Sequence, residues 1–194
     1  MKYILVSNNQ NKCREIGTIL GLEVVPYTDI TGQVLDIEET GKTYEENALI
    51  KVKAIGDIDD AIVFADDSGI EVAALDGRPG LYSARYGSDQ MDADEKCDAL
   101  LAELGPDTTN RAARFCCAIA YRHGPSKKTG CVHGIVQGTL TTQRRGTFGF
   151  GYDPIFIPNG YSLTLGEMRP EKKQSLSHRY LALMAFEEEI KSIH

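Results

Sequence analysis

Ala61-Ile62-Val63-Phe64-Ala65-Asp66-Asp67-Ser68-Gly69-Ile70-Glu71-Val72-Ala73-Ala74 runs from an apolar stretch into two carboxylates and out again. Ala61 to Ala65 predicts an apolar strand, and Ile70 to Ala74 predicts a second, short one. A hydrophobic strand that ends in Asp66-Asp67 delivers both carboxylates to a sheet edge or a cleft floor. Paired carboxylates suit Mg²⁺, a hard cation that prefers oxygen. A carboxylate beside such an ion can also orient or deprotonate water. Asp-Ser-Gly is equally ordinary turn chemistry, so a solvated turn is the competing reading.

On the N-terminal side, Thr43 to Ile55 predicts a helix. Thr43 and Glu46 form a capping box, Tyr44, Ala48, Val52 and Ile55 share an apolar face, and Gly56 ends it. Lys2 to Val6 predicts a buried strand, followed by the polar loop Ser7-Asn8-Asn9-Gln10-Asn11-Lys12. Cys13, Ile16, Ile19 and Leu20 then recur at helical spacing up to Gly21, and Glu23 to Tyr27 predicts another strand.

On the C-terminal side, Gly77-Arg78-Pro79-Gly80 reads as a turn. Asp92 and Glu95 cap a helix running to about Leu104, where Gly105-Pro106 breaks it. Ala113–Tyr121 and Thr129–Gln137 read as antiparallel strands. Ser177 caps a last helix to about Ile193 with Leu181, Met184 and Ala185 inward. Strands mixed with helices imply an α/β fold around a long mixed sheet.

A length of 194 residues suits one domain, with or without lobes. Apolar residues make up 42% and charged residues 25%, ordinary globular values. No apolar run reaches the ~18–20 residues of a membrane span, and the opening apolar stretch is too short for a secretory signal. A cytoplasmic enzyme is the expectation. The five cysteines, Cys13, Cys97, Cys116, Cys117 and Cys131, show no Cys-x-x-Cys spacing, so reduced thiols are expected rather than disulfides or zinc. A net charge of −7 argues against a nucleic-acid backbone as partner.

Four other segments can carry chemistry. Ser7 to Lys12 lies between a strand and a helix N-terminus, where amides and the dipole attract anions and Lys12 adds a charge. The alternative there is a capped loop. Glu38-Glu39-Thr40-Gly41 offers a further metal ligand or merely a solvated acidic run. Gly149-Phe150-Gly151-Tyr152-Asp153-Pro154 sets aromatics between glycines, either as a stacking surface for a base or as a tight turn with its aromatics in the core. His178 and Arg179 follow Ser177 in the first turn of a helix, where positive charge opposes the dipole. An anion, or a ligand carbonyl, would give that placement a reason.

Together these segments resemble the inosine/xanthosine triphosphate pyrophosphatases, the Ham1-like family, along essentially the whole chain. Ser7 to Lys12 matches [TS]-x-N-x-x-K, and Glu38 to Ala48 matches E-E-T-G-x-[TS]-[FY]-x-x-N-A. Ala65 to Gly69 matches A-D-D-S-G, and Pro79 to Tyr86 matches P-G-x-Y-S-A-R-[YF]. Phe150 to Pro154 and Ser177 to Arg179 match F-G-Y-D-P and S-H-R. Asn8 stands where many members have glycine.

The resemblance implies a single domain over residues 1–194. It would be two-lobed, with a long mixed twisted sheet flanked by helices and a nucleotide cleft between the lobes. It implies hydrolysis of non-canonical purine nucleoside triphosphates to monophosphate and pyrophosphate, with Mg²⁺. Asp67 becomes the expected general base and metal ligand, and Glu38 the second ligand unless adjacent Glu39 replaces it. Ser7, Asn8, Asn9, Gln10, Asn11, Lys12, Ser68 and Lys173 would hold triphosphate and sugar. Phe150, Gly151, Tyr152, Asp153, His178 and Arg179 would surround the base. A homodimer without nucleic-acid or membrane partners is implied. A Maf-like pyrophosphatase would show an S-x-S-x-R-R motif instead, which Asn9 and Lys12 disfavour. A non-catalytic nucleotide sensor would have lost the carboxylates.

Overall fold

A computed structural model describes residues 1–88 and 90–193, with the side chains of Gln10 and Asn11 outside the description. In chain order the elements are β1 (Lys2–Leu5), α1 (Gln10–Leu20), β2 (Val24–Pro26), α2 (Tyr27–Thr31), α3 (Tyr44–Ile55) and β3 (Ala61–Val72). Next come α4 (Ala93–Leu104), β4 (Ala112–His123), β5 (Thr129–Leu140), β6 (Phe156–Pro158), α5 (Pro170–Gln174) and α6 (His178–Ser192). The strands form one six-stranded sheet in the order β2-β1-β3-β4-β5-β6. β1 pairs in parallel with β2 and β3, whereas β5 and β6 are antiparallel, so the sheet is mixed as expected.

The chain divides into two compact units. The first is Met1–Asp67, Cys117–Gly134 and Arg179–His194, and the second is Ser68–Cys116 and Ile135–His178. In the first unit the sheet is covered on both faces. Leu5, Ile62, Phe64, Cys117, Ile119 and Tyr121 pack with Cys13 and Ile16 of α1 and with Ala182, Leu183 and Phe186 of α6. Ile4, Val6, Ala61, Val63, Ala65 and Ala120 pack with Ala48 and Val52 of α3. Successive strand residues alternate between these clusters, which is why the apolar runs in β1 and β3 are unbroken. The second unit has its own core, where Cys97, Leu100, Leu101 and Leu104 of α4 meet Ile70, Val72, Phe115, Tyr152 and Phe156.

Three local expectations change. Asp66 to Gly69 is no turn between two strands, because β3 is a single strand of 12 residues through both carboxylates. A strand can carry them because each finds cationic partners on a neighbouring helix. Thr43 caps α3 by accepting from Glu46 N, but Glu46 Oε2 reaches Lys42 N (2.6 Å) instead of closing the box on Thr43. Asp92 and Glu95 do form a full capping box. In α6 the buried face is Ala182, Leu183, Phe186 and Ile190, and Leu181 is exposed. Phe186 sets that rotation. Its ring stacks on Phe64 at 5.1 Å and meets Tyr121 edge-on at 5.7 Å. Burying a ring of that size outweighs the choice among smaller apolar residues.

Candidate active site

Asp66 and Asp67 are consecutive on a strand, so their side chains leave opposite faces of the sheet. The two faces carry different helices, and the two carboxylates acquire different partners.

Asp66 points to the α1/α6 face. Its side chain is 2% exposed and meets Lys12 Nζ at 3.0 and 3.1 Å. Arg179 of α6 donates to it from Nε and Nη2, each at 3.3 Å, and from Nη1 to Glu15 of α1 at 2.9 Å. Burial pushes the Asp66 carboxyl up, but Lys12, Arg179 and Lys51 outweigh it and hold it well below the usual carboxylate range. Burial works against the Arg179 charge too, and Asp66 and Glu15 more than offset it. The anion that justifies an arginine in the first turn of α6 is therefore Asp66, with Glu15 behind it.

Asp67 points to the α3 face. Asn47 Nδ2 donates to its Oδ2 at 3.1 Å, and Lys51 Nζ lies 3.4 Å from its Oδ1. Lys51 also donates to Asp66 O at 3.1 Å and pairs with Glu39 at 3.1 Å. Asn47 Oδ1 accepts from Gly41 N at 2.8 Å, which ties the acidic loop to the helix. A Cβ at Gly41 would fall 2.6 Å from that same Oδ1, so glycine is what permits the approach. Burial pushes the Asp67 carboxyl up. Lys51 and Asn47 pull it down, Glu39 raises it again, and the net shift is upward. Burial pulls the Lys51 ammonium down, but Asp67, Asp66 and Glu39 together raise it.

The structure puts Glu39 half-buried beside Lys51 and leaves Glu38 exposed. In the sequence Asn47 stands out only as part of the Glu38–Ala48 motif, and Lys51 carries no motif at all. A signal was present, since Asn47 and Lys51 are four apart on α3 and so share a face close to Ala48 and Val52. The residues fit a hard divalent cation. Asp67 and Glu39 both lie against one ammonium, which already occupies the kind of position where positive charge is favoured. Asp66, Asp67, Glu39 and Glu15 against Lys12, Lys51 and Arg179 leave this group with one carboxylate in excess. Asp67 and Glu39 are the pair that would hold the ion.

The loop after β1 is capped. Asn9 Oδ1 accepts from Lys12 N at 3.2 Å, and Ser7 Oγ accepts from Asn9 N at 3.0 Å. Asn8 clamps a neighbouring loop by donating to Leu35 O at 2.7 Å and accepting from Leu35 N at 3.0 Å. The phosphate contacts expected of the Gln10 and Asn11 side chains lie outside the described residues.

A separate group forms in the second unit. Lys173 Nζ donates to Asp153 Oδ2 at 2.5 Å and lies 4.6 Å from the centre of the Phe150 ring. Phe150 N donates to the same oxygen at 2.7 Å, and Phe150 itself is 53% exposed. Gly149 has φ +83, and a Cβ there would lie 2.2 Å from Asp153 Oδ2. The Gly-Phe-Gly geometry is thus built around the Asp153–Lys173 pair. Tyr152 is buried, donating to Ser83 O at 2.8 Å, and Gly151 O accepts from Cys97 Sγ at 3.3 Å. Of the two aromatics in this loop, Phe150 therefore presents a face and Tyr152 serves the core. His178 is buried with its ring parallel to Phe115 at 4.8 Å. Ser68 is half-buried on β3, next to Asp67. His178 and Arg179 are adjacent in the chain but fall in different units.

The site thus rests on a mixed α/β sheet whose third strand carries two carboxylates on opposite faces, each met by helix-borne cations. The Ham1 family model matches residues 3–189. The dITP/XTP pyrophosphatase of Oceanobacillus iheyensis is 39% identical over 99% of both chains. That of Halalkalibacterium halodurans is 42% identical over 94% of this chain and 95% of its own. Among solved structures, the Ham1 protein of Staphylococcus aureus superposes with a TM-score of 0.88 at 35% identity over the full length of both. The HAM1 protein from Coxiella burnetii gives 0.88 at 34% identity over 99% of both. The chain belongs to the Ham1 family.

Proposed function

We propose that this protein hydrolyses non-canonical purine nucleoside triphosphates, dITP and ITP together with XTP and dXTP, to the monophosphate and pyrophosphate. The observation that carries this reading is the Asp67–Asn47–Lys51–Glu39 cluster, a half-buried carboxylate held by an amide on one oxygen and an ammonium beside the other. Relatives named dITP/XTP pyrophosphatase match over nearly the whole chain, which supports the same reading.

Asp67 accepts a proton from water. The water oxygen bonds to the α-phosphorus as the bond from phosphorus to the bridging oxygen of the pyrophosphate breaks. Asn47 holds the carboxylate in place, and Lys51 stabilises negative charge that builds on the phosphate oxygens. A divalent ion, Mg²⁺ in our proposal, would be held by Asp67 and Glu39 and would supply charge neutralisation and a more acidic water. Lys12, Ser7, Asn8, Asn9, Ser68 and Lys173 are proposed to meet the phosphates and sugar. Phe150 gives the purine a face to stack on, and His178 with Asp153 lines that end. We further propose that residues 1–194 act as one domain, as a homodimer in the cytoplasm. Among the described residues no helix is long and apolar enough to cross a membrane, and the five cysteines are free thiols, which suits that compartment.

The test is pyrophosphate release over a nucleotide panel with and without Mg²⁺. Turnover of dITP and XTP well above that of dATP and dGTP is expected, and equal turnover of all four would sink the proposal. Two variants refine it. Glu39→Gln should raise the Mg²⁺ needed for half-maximal rate by about tenfold or more, whereas Glu38→Gln should leave it unchanged. Phe150→Ala should raise KM about tenfold through lost stacking, with a far smaller change in kcat.

A further inference from the structure

β5 carries a second set of metal-binding side chains that the proposed reaction does not use. Cys131 and His133 are two apart on the strand and so share a face. Glu45, in the first turn of α3, meets them there. One carboxylate oxygen, the Cys131 sulfur and one imidazole nitrogen all lie within 4.8 Å of one another. Glu45 Oε2 is 3.6 Å from His133 Nε2. In a tetrahedral zinc site with bonds of about 2.0–2.3 Å, ligand atoms stand roughly 3.3–3.8 Å apart. The Glu–His separation already meets that, and the Cys131 sulfur lies within 4.8 Å of both atoms.

The ligand types decide the ion. A thiolate with an imidazole and a carboxylate is zinc chemistry, whereas Mg²⁺ and Ca²⁺ favour oxygen. Cys131 is anchored, packing beside the cluster that contains Ala48 and Val52 of α3. Glu45 and His133 have side chains 49% and 50% exposed, which leaves the site open to solution. Burial, and after it the Glu45 carboxylate, pushes the Cys131 thiol up to about 12.

We propose that Glu45, Cys131 and His133 form a zinc site, with water as the fourth ligand. The metal takes the place of the thiol proton, which leaves to solvent. The bound ion ties the first turn of α3 to β5. Because α3 carries Asn47 and Lys51, the site joins the catalytic helix to the sheet at a second point.

Cobalt titration of the reduced, full-length protein tests this. One equivalent of Co²⁺ should produce a thiolate-to-metal charge-transfer band and the visible bands of a four-coordinate ion, both erased by added Zn²⁺. The charge-transfer band should vanish in Cys131→Ser. In His133→Ala, a change at a half-exposed position that leaves the core alone, affinity should fall by about tenfold or more. Cobalt that binds without a thiolate band, as it would at the Asp67–Glu39 oxygens, overturns the proposal. So do weak non-saturating binding in the wild type, a band that persists in Cys131→Ser, and undiminished affinity in His133→Ala.

Discussion

Asp67→Asn is expected to cut kcat for pyrophosphate release by about 10²–10⁴-fold, the usual contribution of a positioned general base. The same change should leave the protein as stable as the wild type or more so when metal is chelated. Both halves follow from one environment. The amide has nearly the shape of the carboxylate, and its oxygen can still accept from Asn47 Nδ2, which lies 3.1 Å away in the native cluster. Asp67 has a pKa raised by burial, with Glu39 adding to the effect and Lys51 and Asn47 opposing it. A carboxyl whose folded pKa lies above its unfolded value favours folding when protonated and loses that advantage as pH rises through the folded value. At neutral pH the ionised Asp67 therefore burdens the fold, and a neutral amide removes the burden. Loss of turnover with no loss of melting temperature marks a group kept for chemistry. Full turnover in Asp67→Asn would remove it as the base, and a large fall in melting temperature would make it a structural residue.

Much of this arrangement was legible in the sequence because it rests on local rules. The apolar run of β3, the Asp92 capping box and the helical stripe of α3 follow from period and end chemistry. The bounds of α3 and α4 agree with the structure to within a residue, whereas β3 runs on through both carboxylates to Val72. What local rules do not contain is the facing of a particular side chain in a loop. Glu38 and Glu39 are chemically equivalent in the sequence. They are separated by the fold, where the hydrogen bond from Gly41 N to Asn47 ties the loop to α3 and Glu39 pairs with Lys51. The role of Lys51 is hidden in the sequence for a similar reason. A lysine in an amphipathic helix is read as a solvated residue, and its burial is decided by carboxylates from β3 and from the acidic loop. The Asp66–Asp67 stretch misled in the opposite direction. Its composition is that of a turn, yet the strand continues because tertiary partners satisfy both charges, an override of local preference.

Arg179 is where this override has its largest energetic consequence. The sequence offered a base-reading role for it, alongside the possibility of an anion at the start of α6. The structure gives the anion, with the guanidinium 2% exposed between Asp66 and Glu15. Arg179→Ala should thus lower stability by about 3–5 kcal/mol, because it strips compensation from a buried carboxylate. For a chain of this length that corresponds to roughly 6–20 °C in Tm. Asp66→Asn should cost a similar amount by leaving Arg179 and Lys12 with less opposing charge. The double variant Asp66→Asn/Arg179→Met removes the buried charge on both sides and should recover part of the loss, so the two single effects will not add. The pH dependence has a definite sign. Asp66 has a folded pKa held below its unfolded value by Lys12 and Arg179 against burial. Its contribution is present above the ordinary aspartate range and disappears only as pH falls through the depressed folded value. Wild type and Asp66→Asn should therefore differ most near neutrality and draw together in strong acid. Inosine versus adenosine selectivity, measured on whatever Arg179→Ala protein folds, separates the two roles. An unchanged ratio with a lowered melting temperature assigns Arg179 to the ion pair alone. A collapsed ratio at native stability would return it to the base.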